Sequence, residues 1–172
     1  MIPQIKRILY ATDLSPNSAY VFRYAINSAK KHGAELFVLH VLEELRPSAK
    51  ALIEAHLDPD TLKKITEGKS AHAKDRIQKR IKKVLEKELK NDPAIEGLIT
   101  SIEVIEGYPA DEILEKADRF NCDAIVMGTH GKGFLRHSYF GSTAKKVLRR
   151  VRKPVFIIPL PEGETDVTFH DG

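Results

Sequence analysis

Tryptophan is absent from the 172 residues, aromatic side chains make up 7%, and there is a single cysteine, Cys122. One thiol cannot close a disulfide within the chain, so no disulfide framework exists and a reducing compartment suits the sequence. Cys122 sits just before an apolar run, where a packed thiol is favoured over a reactive one. No apolar run approaches the roughly eighteen residues of a membrane-spanning helix, and residues 1–7 lead into an apolar strand rather than a signal segment. The expectation is a cytoplasmic protein that makes no use of a membrane. Two missing motifs narrow the chemistry further. Without Gly-x-Ser-x-Gly there is no hydrolase nucleophile elbow, and the full Gly-x4-Gly-Lys-Ser/Thr of a P-loop is absent, since Gly68-Lys69-Ser70 has Lys63 where the first glycine would stand. His32, His40, His56, His72, His137 and His170 show no metal-ligand spacing, so no zinc site is expected.

Charge is present but uneven. The net +4 is concentrated in residues 63–90, which hold eleven Lys/Arg against four Asp/Glu and leave the remainder at −3. That segment has no aromatic side chain on which a base could stack, so a solvated helix face is favoured over a nucleic-acid surface.

Five short runs, at residues 5–12, 34–42, 99–106, 123–127 and 155–158, read as strands, those at 34–42 and 123–127 buried, 99–106 with some alternation, and 155–158 suited to a sheet edge by the prolines at its ends. Between them lie helical patterns. Residues 16–32 carry Ala19, Phe22, Ala25, Ile26 and Ala29 at helical spacing, with Ser15 as cap, Pro16 at the first position and Gly33 as terminator. Residues 43–60 read as a linking or partly helical excursion, weakened by Pro47 and Pro59. A long amphipathic helix follows at 61–90, with Ile77, Ile81, Val84, Leu85 and Leu89 as its stripe and Gly68 interrupting or starting it. Residues 110–120 carry Ile113, Leu114 and Ala117, and residues 142–152 carry Ala144, Val147, Leu148 and Val151. Strands alternating with helices predict an α/β fold, an open five-stranded parallel sheet with helices on both faces, since parallel neighbours need crossovers. Residues 1–160 are expected to form a single domain and 161–172 a flexible tail.

The chemistry gathers at two strand ends. Gly128-Thr129-His130-Gly131-Lys132-Gly133 follows the strand that Met127 closes, and Gly141-Ser142-Thr143 opens the next helix. Helix-start N–H groups lack intrahelical acceptors and sit at the positive end of the helix dipole, while glycines let an anion come close. Asp13 follows the first strand. If the first and fourth strands are neighbours, this carboxylate and the glycine loop share the crevice where ligands bind in such sheets. A carboxylate that accepts from sugar hydroxyls beside a loop that holds phosphates describes a nucleotide. Asp13 could also serve the turn that starts the first helix. Lys132 and Arg136 are either phosphate contacts or solvated charges.

These residues resemble the universal stress protein family, and specifically its ATP-binding branch, over about residues 3–160. The carrying motif is Gly-x2-Gly-x9-Gly-Ser/Thr, met by Gly128, Gly131, Gly141 and Ser142, with Asp13 and the Gly107-Tyr108-Pro109-Ala110 turn in support. The resemblance implies a Rossmann-like sheet in the order 3-2-1-4-5 with ATP above strands one and four. It assigns Asp13 to the ribose side, Val41 to adenine, and Gly128, His130, Gly131, Gly141, Ser142 and Thr143 to the phosphates, with Met127 completing the cofactor-binding set. Magnesium or manganese would accompany the phosphates, with no protein ligands evident. It further implies a homodimer through the 155–158 edge strand and an unidentified protein partner. The long excursion at 43–98 and the tail depart from the compact pattern. The functions this leaves open are an ATP-binding stress-response switch with at most weak ATPase activity, an ATP-hydrolysing or nucleotidyl-transferring enzyme using His130, Lys132 or Arg136, and a partner or nucleic-acid binding module on the basic helix.

Overall fold

The computed structural model describes residues 1–15, 18–44, 47–89, 93–129 and 140–159. Each run forms a strand. β1 (Arg7–Thr12), β2 (Glu35–Glu43), β3 (Ile99–Gly107), β4 (Ala124–Gly128) and β5 (Val155–Ile158) make one parallel sheet in the order β3-β2-β1-β4-β5, as expected. The central β1, β2 and β4 are largely buried, while β3 and β5 at the sheet edges are half-buried. Ile8 and Tyr10 of β1 lie opposite Leu36 and Val38 on one side and opposite Ala124 and Val126 on the other. β1 and β4 are therefore neighbours, and the strand order reverses between them.

The crossovers are α1 (Ser18–His32), α4 (Pro109–Arg119) and α5 (Ser142–Arg150), with α2 (Pro47–Glu54) and α3 (Pro59–Leu89) inserted between β2 and β3. Because successive strand residues face opposite ways, the sheet builds two cores. Ile8, Tyr10, Leu36, Val38 and Val126 pack with α1 and with Ile77 of α3. Leu9, Phe37, Leu39, Ile125 and Met127 pack with Ile113 and Ala117 of α4 and with Ala144 and Val147 of α5. On α1, Ala19, Phe22, Ala25, Ile26 and Ala29 are all buried as their spacing requires. Burying Phe22 completely contributes about 2–3 kcal/mol.

Two helices stop in the same way and thereby aim the strands that follow. At the end of α1, Gly33 takes φ +59° and the Ala34 N–H reaches the Ala29 carbonyl at 2.8 Å. At the end of α4, Asn121 takes φ +50° and the Cys122 N–H reaches the Ala117 carbonyl at 2.8 Å. Both are left-handed caps, one using glycine and the other asparagine, the two residue types that enter this region at least cost.

The structure corrects four details. Gly68 neither interrupts nor starts a helix, since α3 runs unbroken for 31 residues from Pro59. One glycine costs about 1 kcal/mol against alanine, too little to break so long a helix. Pro47 and Pro59 begin helices rather than weakening them, because proline at a first turn gives up an N–H that has no intrahelical acceptor. Asp58 caps α3 by accepting from the Thr61 N–H at 2.9 Å and the Thr61 hydroxyl at 2.5 Å. These bonds hold its carboxyl below the usual range, the hydroxyl having the larger effect. Leu148, read as inward, is 40% exposed, and α5 buries only Ala144 and Val147. β4 ends at Gly128 rather than Met127. The side chains of Ile81, Val84, Leu85 and Leu89, residues 16 and 17, and the tail lie outside the described residues. No helix among the described residues is long and apolar enough to cross a membrane.

Candidate functional site

A cavity of about 590 Å³ opens above the carboxyl ends of β1, β2 and β4. That is the size range of small-molecule sites, and the place where an open parallel sheet with a strand-order reversal holds ligands. Of the nine residues assigned to a cofactor, seven line it: Asp13, Val41, Met127, Gly128, Gly141, Ser142 and Thr143. His130 and Gly131, together with Lys132 and Arg136, lie outside the described residues.

One wall is apolar. Leu39, Val41, Met127 and Ile113 form it, with Leu39 and Met127 1% and 5% exposed. The opposite side is the start of α5. Gly141 is its N-cap, with no side-chain cap hydrogen bond. The first intrahelical bond runs from the Lys145 N–H to the Gly141 carbonyl at 3.0 Å. The N–H groups of Ser142, Thr143 and Ala144 thus have no intrahelical acceptor, and they lie at the positive end of the helix dipole. The Gly141 N–H donates to the Thr129 carbonyl at 2.7 Å, and the Thr129 N–H donates to Ile158 on β5 at 3.1 Å. The helix start is thereby tied to two strands. An ion pair between Arg150 and Asp111, and another between Lys153 and Asp118 at 3.2 Å, bind α5 and the segment after it to α4.

Asp13 occupies the β1 side. One carboxylate oxygen accepts from the Ser15 N–H at 3.0 Å, so Asp13 shapes the turn as well as lining the cavity. The two roles are compatible, because a carboxylate has about four acceptor positions. Ser15, expected to cap α1, does so through its carbonyl instead. That oxygen accepts from the Ser18 N–H at 3.0 Å and the Ser18 hydroxyl at 2.6 Å, while the Ser15 hydroxyl makes no hydrogen bond among the described residues. Between Asp13 and Ser15, Leu14 is held at φ +58°. A left-handed leucine costs about 1–2 kcal/mol and persists only where its surroundings dictate it. Here its N–H donates to the Thr12 hydroxyl at 3.2 Å.

Two lining residues have a place in this geometry that sequence reasoning did not give them. His40 is 6% exposed and its Nδ1 lies 2.7 Å from the Thr12 carbonyl. A carbonyl only accepts, so Nδ1 carries the proton, and the bond pins the ends of β1 and β2 together. The signal was the lone polar residue within the apolar run of residues 36–42. Lys145 lines the cavity from the first turn of α5 and adds positive charge beside the N–H groups there. Its signal was helical position, three residues after Ser142. Among the described residues, no group of three or more His, Cys, Asp or Glu is placed to hold a metal ion.

Residues 4–159 match the universal stress protein family. Universal stress protein MJ0531 of Methanocaldococcus jannaschii is 33% identical over 161 residues, covering 92% of this chain and 85% of its own. Stress response protein NhaX of Bacillus subtilis is 30% identical, covering 88% of this chain and 96% of its own. Universal stress protein MJ0577, also of M. jannaschii, is 26% identical over 89% of this chain and 94% of its own. Its solved structure superposes with a TM-score of 0.70 over 94% of this chain and all of its own, which shows a shared fold. The chain belongs to the universal stress protein family.

Proposed function

We propose that the cavity binds an adenine nucleotide, ATP in particular, and that the protein is a nucleotide-dependent regulator of the stress response rather than an enzyme of rapid turnover. The carrying observation is the pairing of an apolar wall with an uncapped helix start inside one cavity, with Asp13 on its β1 side. A flat apolar base suits Val41 and Met127, sugar hydroxyls suit Asp13, and phosphate oxygens suit the N–H groups of α5 with Ser142, Thr143 and Lys145. Gly128, His130, Gly131 and Gly141 belong to the same phosphate assignment. A magnesium or manganese ion would be held chiefly by the phosphates, being hard and oxygen-seeking, and would supply charge neutralisation.

Three described lining groups can accept a proton, Asp13, His40 and Glu43. Asp13 takes the Ser15 N–H, and His40 is fixed on Thr12. No observation favours a turnover enzyme over a binding protein, nor the nucleic-acid reading of the basic helix. The same proposal includes one domain over residues 1–160 and a homodimer. β5 is a sheet edge with four half-buried apolar residues, and an antiparallel partner would cover an edge otherwise open to aggregation.

Incubating pure protein with labelled ATP at one equivalent tests the regulatory reading. Retention of intact ATP over many minutes is expected. Hydrolysis at enzyme-like rates of about 1 per second or faster would overturn it.

A further inference from the structure

Behind Asp13, on the α1 side of the sheet, lies a second and much smaller cavity. It has a volume of about 20 Å³ and is bounded by Tyr10, Thr12, Asp13, Ser15, Ser18 and Gly128, among others. It shares Thr12, Asp13 and Gly128 with the large cavity. That volume holds about one water molecule.

The polar groups around it are almost fully paired. The Tyr10 phenol donates to the Ser18 carbonyl at 2.7 Å. Burial, chiefly, and the nearby Asp13 charge raise the Tyr10 pKa, so the phenol keeps its proton and remains a donor. The Thr12 hydroxyl accepts from Leu14, the Ser18 hydroxyl donates to the Ser15 carbonyl, and the Ser15 N–H donates to Asp13. The exception is the Ser15 hydroxyl, in a residue 5% exposed, whose oxygen has no partner among the described residues. Leaving a buried hydroxyl unpaired costs about 1–3 kcal/mol. In a turn that already carries a left-handed leucine, such an orphan needs a reason.

We propose that the small cavity is a hydration site in which one buried water bridges the Ser15 hydroxyl and the Asp13 carboxylate. Ser15 is then a positioning residue that orients Asp13 from behind, on the side of β1 away from the ligand. The water satisfies Ser15, and the carboxylate keeps acceptor capacity for a ligand hydroxyl in the large cavity. The consequence for ligand rests on the nucleotide reading above. The water itself does not.

Ser15→Ala tests both parts, because its sign depends on whether the cavity is wet. With the water present, the substitution removes one of its partners and lowers the melting temperature by roughly 2–4 °C. A dry cavity would make the same change neutral or stabilising, and that result overturns the proposal. A crystal structure of the unliganded wild-type protein, at a resolution that shows ordered water, should place one peak about 2.6–3.2 Å from both Ser15 Oγ and an Asp13 oxygen. An empty cavity there would also overturn it.

For the positioning role, adenosine affinity should fall about threefold to tenfold in Ser15→Ala, inorganic tripolyphosphate affinity should not change, and the loss should vanish in an Asp13→Ala background. Equal losses for both probes, or additive losses with Asp13→Ala, would mean a general structural effect and sink it. If wild-type protein ignores adenosine and its nucleotides altogether, the nucleotide reading fails while the melting and density results still decide the water.

Discussion

The two ends of the sheet are built from similar residues to opposite effect. At the amino end, polar groups are used up on one another. One Asp123 carboxylate oxygen accepts from the Lys6 and Arg7 N–H groups at 2.7 and 2.9 Å. Arg7 bonds Glu35 at 2.9 Å and the Phe120 carbonyl at 3.2 Å. Backbone bonds from Glu35 to Lys6 and from Asp123 to Arg7, both 2.8 Å, complete the seam. At the carboxyl end, α5 starts without a side-chain cap, Leu14 is left-handed, the Ser15 hydroxyl is unpaired and a cavity of about 590 Å³ stays open. Donors and acceptors spent on each other stabilise a fold, while those held in place but unspent are what a ligand can use. Strain and incomplete pairing concentrate at such sites.

Exchanging one aspartate at each end should break the comparison cleanly. Asp123→Ala leaves the part-buried Arg7 N–H without its acceptor and gives the exposed Lys6 N–H to water, and should cost roughly 1–2 kcal/mol of stability, read as a lower urea midpoint, with no change in nucleotide affinity. Asp13→Ala should do the reverse. Nucleotide affinity should fall by about tenfold, with a stability loss of roughly 1 kcal/mol from the missing turn bond. Equal effects of the two substitutions on binding would remove the distinction between the ends.

The smallest effect concerns the closed side. Burial, the leading cause, pushes the Cys122 thiol from an ordinary value near 9 up to about 11. The native state therefore keeps this proton where the unfolded chain has lost it. Stability from this source is complete below pH 9 and is lost as pH rises toward 11. At pH 10 the wild-type protein should have lost about 1 kcal/mol relative to its value at pH 8 that a Cys122→Ala variant does not lose. Parallel pH profiles for the two proteins would show that the thiol is not sheltered.

The contrast also accounts for what could be read in the sequence. The central strands were legible because burial on both faces demands unbroken apolar runs, and the strand order came from the family resemblance carried by Gly128, Gly131, Gly141 and Ser142. The helix starts at Pro47 and Pro59 were misread, since proline punctuates a helix equally well as its first residue. Leu148 misled because a nine-residue helix on a sheet buries a narrow stripe, here Ala144 and Val147. Asp13, Gly141, Ser142 and Thr143, which line the cavity, could be singled out because residue type and local position mark them. His40 and the Ser15 hydroxyl were not, because their meaning lies in contacts between segments. A histidine bonded to a carbonyl 28 residues away, and a hydroxyl with no partner among the described residues, leave no local pattern.

The central claim is that the open end of the sheet holds a nucleotide through its base, its sugar and its phosphates at once. Calorimetric titration of the wild-type protein with adenosine, AMP, ADP and ATP, each with magnesium, tests it most directly. The account predicts measurable binding of all four, with affinity rising at each added phosphate as the start of α5 and Lys145 are engaged. No heat and no binding at millimolar ATP, or an affinity indifferent to phosphate number, would contradict it.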